Sequence, residues 1–106
     1  RHTKGEHSTK ISTAVKEYLI EIEVRKYTPK MIRSYRNNLN LFLRFCEEEA
    51  GIAEIENVSL AVVRQFSRFM SERGRKGSYI NGLLKVAKAF IQYCYEEGYG
   101  GFNSVS

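Results

Sequence analysis

Proline occurs once in the 106-residue sequence, and histidine and cysteine twice each. A single proline leaves long stretches free of the strongest helix breaker. No apolar run approaches the roughly 20 residues needed to cross a bilayer. The opening RHTKGEHSTK lacks an apolar signal-peptide core and reads as a flexible lead-in over residues 1–11. Cys46 and Cys94 each fall on the apolar stripe of an expected helix. This predicts two buried free thiols in a reducing cytoplasm rather than a disulfide. Neither cysteine has the His or Cys neighbours of a metal site, and no cofactor is implied.

What the sequence does contain is apolar residues at helical spacing. The hydrophobic share of 42% in a chain of this length can bury a single core without metal or disulfide staples. The first expected helix runs from Ser12 to Arg25, with Val15, Tyr18, Leu19 and Ile22 on one face. The second starts at Thr28-Pro29, a hydroxyl cap followed by a proline suited to the first helical position. It ends near Ala50, before Gly51, with Ile32, Tyr35, Leu39, Phe42, Leu43 and Cys46 inward. Residues Ile52–Val58 read as a loop with a short apolar pattern. A third helix, capped by Ser59 and closed by Gly74, buries Val62, Val63, Phe66, Phe69 and Met70. The fourth, capped by Ser78 and closed by Gly98, buries Leu83, Val86, Ala87, Phe90 and Cys94, widened by Ile80, Leu84 and Ile91. The expectation is an all-α bundle of four helices over residues 12–98. Residues 99–106, rich in glycine, read as a linker toward a further domain. The helical spacing of Phe42, Phe66, Phe69 and Phe90 makes them core residues rather than a platform for stacked bases.

Charge is distributed less expectedly. The net charge is +5 and the isoelectric point about 9.3, which favours an anionic partner only weakly. A helix N-terminus carries partial positive charge and normally attracts acids. Here Lys30, Arg33 and Arg36 occupy the first turns of the second helix, and Glu47, Glu48 and Glu49 gather at its end. The fourth helix repeats the inversion, with Arg73, Arg75 and Lys76 before it and Glu96 and Glu97 at its close. At about 100° per residue, Lys30, Arg33, Asn37, Asn40 and Arg44 form one polar stripe. Asn81, Lys85, Lys88 and Gln92 form another. Lys and Arg suit phosphate oxygens, whereas Asn and Gln can pair with adenine edges in the major groove. Such stripes are also what a solvated helix face looks like.

The order of these features resembles the core-binding domain of tyrosine recombinases, the phage-integrase family, whose N-terminal module is a SAM-like bundle of four helices. The resemblance is carried by Tyr18-Leu19, Tyr27-Thr28-Pro29-Lys30, and Tyr35 with Leu39, Phe42 and Phe45. It continues through Phe66, Phe69-Met70 and Gly77-Ser78-Tyr79-Ile80-Asn81, then Leu84, Ala89-Phe90, Tyr93 and Glu97-Gly98. It covers roughly residues 12–103. The sequence departs from the family at Asn103-Ser104, where an Asn-Pro pair is common.

The resemblance implies a domain that clamps one face of double-stranded DNA while a separate C-terminal domain closes over the other. By position it implies contacts at Thr28, Lys30, Arg33, Arg36 and Asn37, and at Lys76, Ser78, Tyr79, Asn81, Lys85 and Lys88. It also implies Tyr35, which the helical spacing places on the apolar face. Recombinase protomers assembled on DNA, a monomeric fragment and a cytoplasmic location are implied too. The family's transesterification uses a tyrosine with arginines and a His-x-x-Arg motif, and neither His2 nor His7 begins such a motif. No catalytic residue is therefore expected in this chain. The consecutive acids Glu47–Glu49 point to different sides of a helix and make no metal cluster. On the residues alone, a helical protein-interaction module and a helix-turn-helix regulatory domain remain alternatives.

Overall fold

The computed structural model describes residues 9–99. Four α-helices form the bundle: α1 (Ile11–Val24), α2 (Pro29–Arg44), α3 (Leu60–Glu72) and α4 (Gly77–Glu97). No strand lies among the described residues. The expected all-α class and the four helices are observed; the ends of α1, α3 and α4 lie within a residue or two of expectation, whereas α2 stops at Arg44, short of its expected end near Ala50. Most of the lead-in, with His2 and His7, and the exit from Gly100 onward lie outside the described residues.

The start of α2 follows its residue types. Thr28 is extended, and its hydroxyl accepts the Met31 amide at 3.2 Å, while Pro29 occupies the first turn. The helical run continues past Arg44, but Phe45–Glu49 form a π turn closed by the Ala50 amide on the Phe45 carbonyl at 3.0 Å. Gly51, Gly74 and Gly98 all adopt positive φ, where a Cβ is costly, and so end their helices as expected. The first helix stops differently. Lys26 takes φ 66°, while the Lys26 and Tyr27 amides bond back to the Glu23 and Ile22 carbonyls at 3.0 and 3.1 Å. This is a Schellman end without its usual glycine.

The cap expected at Ser78 is corrected. The helix begins at Gly77, Lys76 holds the cap position, and no side chain caps the amides. The Ile80 amide bonds the Lys76 carbonyl at 3.0 Å. The tight turn at Gly74 therefore leaves Arg75 and Lys76 as the last residues before the helix. Ser59 holds the cap position of α3, but its hydroxyl makes no cap bond.

One hydrophobic core runs through the bundle. Ile11, Val15, Tyr18 and Ile22 of α1 meet Leu39 and Phe42 of α2, Phe66 of α3, and Leu83 and Phe90 of α4. Both cysteines are buried and unbridged. Burial pushes the Cys46 thiol up to about 12, with Glu47 adding to the shift. Ile32, Tyr35, Leu43, Phe69, Leu84 and Ile91 are only partly covered, because they flank rather than centre their apolar stripes.

The core reaches past both expected boundaries. Ile11 and Tyr99 are 0% and 1% exposed, so they belong to the packed unit rather than to a lead-in or linker. The Ile11 amide donates to the Ala53 carbonyl at 2.9 Å, and the Ile55 amide to the Thr9 carbonyl at 2.7 Å. The expected loop is thus pinned, with a 3-10 turn at Ile55–Asn57 and Ile55 and Val58 buried.

Aromatic contacts set the polarity of the bundle. Tyr18 lies against Tyr35 in the first half of α2 and against Phe90 and Tyr93 in the second half of α4. The other end of α2, at Arg44, lines one cleft with Arg73 and Arg75, which precede α4. Helices α2 and α4 therefore run in opposite senses.

Candidate nucleic-acid interface

All eleven residues expected to touch DNA are exposed. On α2 the stripe Lys30, Arg33, Asn37, Asn40 and Arg44 lies opposite the buried Leu39 and Phe42, with Arg36 on its flank. Thr28 uses its oxygen lone pair on the Met31 amide, which leaves the hydroxyl proton free to donate. Tyr35 is half-buried, its ring 6.3 Å from Tyr18 and 5.5 Å edge-on from Tyr27. Burial, with the neighbouring Tyr27, raises its hydroxyl above the ordinary tyrosine value. It packs against the edge of the core, on the apolar face where its spacing placed it.

On α4, Ser78, Asn81, Lys85, Lys88 and Gln92 share the outward stripe at about 100° per residue. Lys88 borders a groove with Leu60, Val63 and Arg64 of α3. Tyr79 does not join this stripe. It projects on the core side of α4 but beyond the end of the core, 42% exposed, and the Arg75 guanidinium sits 5.8 Å from its ring centroid.

Because α2 and α4 run oppositely, their two N-termini do not sit side by side. The expected residues fall into three groups. Thr28, Lys30, Arg33, Arg36 and Asn37 occupy the first half of α2. Lys76 and Tyr79 stand at the start of α4, near the far end of α2. Ser78, Asn81, Lys85 and Lys88 follow along the outside of α4, toward α3.

The cations share one electrostatic property. Among the described residues, none of Lys30, Arg33, Arg36, Lys76, Lys85 and Lys88 is ion-paired with a carboxylate. The start of α4 adds amides that no side chain caps, and free amides, helix dipole and cations all favour an anion. Arg44, Arg73 and Arg75 also carry exposed charge beside this region. The resemblance does not supply them. Arg44 could be read from the α2 stripe, whereas the nearness of Arg73 and Arg75 depends on tertiary structure.

Among the described residues no group of three or more His, Cys, Asp or Glu could hold a metal ion. No helix there is long and apolar enough to cross a membrane. No curated protein and no solved structure matches the chain. The family described as phage integrase, N-terminal SAM-like domain, matches residues 15–98, and with most of its length so matched, the chain belongs to that family.

Proposed function

We propose that this domain binds duplex DNA as the N-terminal clamp of a tyrosine recombinase, in site-specific recombination or integration of a mobile element. The observation that carries this reading is the set of exposed cations on α2 and α4, unpaired among the described residues, in a chain of the integrase family. Lys30, Arg33, Arg36, Lys76, Lys85 and Lys88 neutralise backbone phosphates, and Thr28, Ser78 and Tyr79 add hydroxyl donors. Asn37 and Asn81 reach base edges. Strand cleavage belongs to a separate C-terminal domain that carries the tyrosine nucleophile and its arginines. Protomers meet on the DNA, which places the work in the cytoplasm of a cell that hosts the element.

Paired substitutions test the division of labour. Lys85→Ala weakens every duplex about equally and lowers the salt slope by about 1. Asn81→Ala costs on the order of 1–3 kcal/mol of discrimination at one base pair. Fluorescence anisotropy against a panel of single-base-pair variants reads both. Equal losses on every sequence for Asn81→Ala would reduce it to a backbone contact, and no loss for either variant would remove α4 from the interface.

A further inference from the structure

Where the end of α2 meets the turn between α3 and α4, the surface forms a cleft of about 340 Å3. Arg44 lines it from the last position of α2, and Arg73 and Arg75 from either side of Gly74. Among the described residues none of the three is ion-paired, although Glu48 and Glu49 line the same cleft. The three guanidinium groups outnumber the two carboxylates of the cleft and pair with neither among the described residues, and an anion seated among them relieves their mutual repulsion.

Two of the three lie over aromatic rings. The Arg73 guanidinium carbon lies 4.9 Å from the Phe69 ring centroid, and that of Arg75 lies 5.8 Å from the Tyr79 centroid. A guanidinium stacked on a ring gives up its flat face and keeps its in-plane N–H fork, which matches the oxygens of a phosphate. The backbone beneath them is fixed. Gly74 adopts φ 81°, its amide bonds the Ser71 carbonyl at 3.0 Å, and the Arg75 amide bonds the Met70 carbonyl at 3.2 Å.

We propose that this cleft seats one backbone phosphodiester of duplex DNA, gripped by Arg73 and Arg75 with Arg44 alongside. The proposal rests on the DNA-binding reading above and adds a contact outside its eleven residues. It gives the interface continuity: the α2 stripe ends at Arg44, and α4 begins two residues after Arg75. Glu48 and Glu49, which line the same cleft, oppose the phosphate, and that opposition gives the test its sign.

Anisotropy titrations of the 106-residue chain on a duplex oligonucleotide, repeated across a salt series, decide it. The Arg73→Gln/Arg75→Gln variant is expected to bind about tenfold more weakly, with a salt slope smaller by about 1. The Glu48→Gln/Glu49→Gln variant is expected to bind several-fold more tightly than wild type, a gain that fades as salt rises. Wild-type affinity and slope in both variants, while Lys30→Ala/Arg33→Ala still weakens binding, would overturn the cleft and leave the DNA reading intact. Absence of wild-type binding at low salt would overturn both. Should the arginine variant fail to fold by circular dichroism, the exposed glutamate pair decides alone: tightening supports the phosphate seat, and unchanged or weaker binding overturns it.

Discussion

Two charged regions of the molecule treat their charges in opposite ways. Around the second half of α4 and the adjacent face of α1, acids are engaged. The Tyr99 hydroxyl donates to the Glu17 carboxylate, Arg25 pairs with Glu21 at 2.9 Å, and the Gln92 amide donates to Glu96 at 3.1 Å. Burial pushes the Tyr93 hydroxyl up to about 12, and the charges of Glu97, Glu17 and Glu21 push the same way. Along α2 and the start of α4 the cations have no carboxylate partners among the described residues. Several of them also stand at helix ends whose dipole disfavours them, at a few tenths of a kcal/mol each. The first region's acids are engaged within the domain, whereas the second region's cations face solvent without carboxylate partners among the described residues.

The largest expected effect breaks the basic side alone. Lys30→Ala/Arg33→Ala/Lys85→Ala removes three phosphate contacts, so the salt slope falls by about 3 and affinity at moderate salt drops roughly a hundredfold or more. Its thermal midpoint stays near wild type, because exposed substitutions away from caps and core rarely exceed about 0.5 kcal/mol. Anisotropy and thermal melts together read this dissociation of binding from stability.

The complementary change on the acidic side is smaller and reversed in character. Tyr99→Phe removes the hydroxyl donor to Glu17 and costs about 1.5–3 kcal/mol in denaturant unfolding, with DNA affinity unchanged. A loss of DNA affinity equal to that of the basic variants would erase the contrast.

The smallest effect lies in alkaline pH. Burial raises the Tyr18 and Tyr93 hydroxyls from 10.0 to about 12 in the folded state. A folded value above the unfolded one means the folded state retains its proton longer. Their contribution to stability is therefore complete below pH about 10 and is lost as pH rises through about 12. Tyrosinate absorbance should show these two rings ionising after the exposed tyrosines, and unfolding by denaturant should become easier across the same window.

Much of this architecture is legible locally. Three of the four helix ends carry a glycine that must take positive φ, and the apolar spacing of α3 and α4 marks most of their buried faces. What is not legible depends on groups distant in sequence. Tyr99 reads as a linker residue because its partner Glu17 lies 82 positions away. Ile11 reads as lead-in because its anchor is the Ala53 carbonyl. Lys26 gives no stop signal, since a lysine at positive φ is the exception to the glycine rule. The π turn at Phe45–Glu49 has no residue signature at all. For the candidate site, the stripes themselves follow from periodicity. The opposite senses of α2 and α4, and hence the meeting of Arg44 with Arg73 and Arg75, emerge only when Tyr18 is seen between Tyr35 and Phe90.

The most direct test of the account is the salt dependence of duplex binding by the wild-type chain. Contact with six to ten phosphates predicts a log–log slope of roughly −5 to −9. A slope near zero, or no binding at about 50 mM salt, would contradict it.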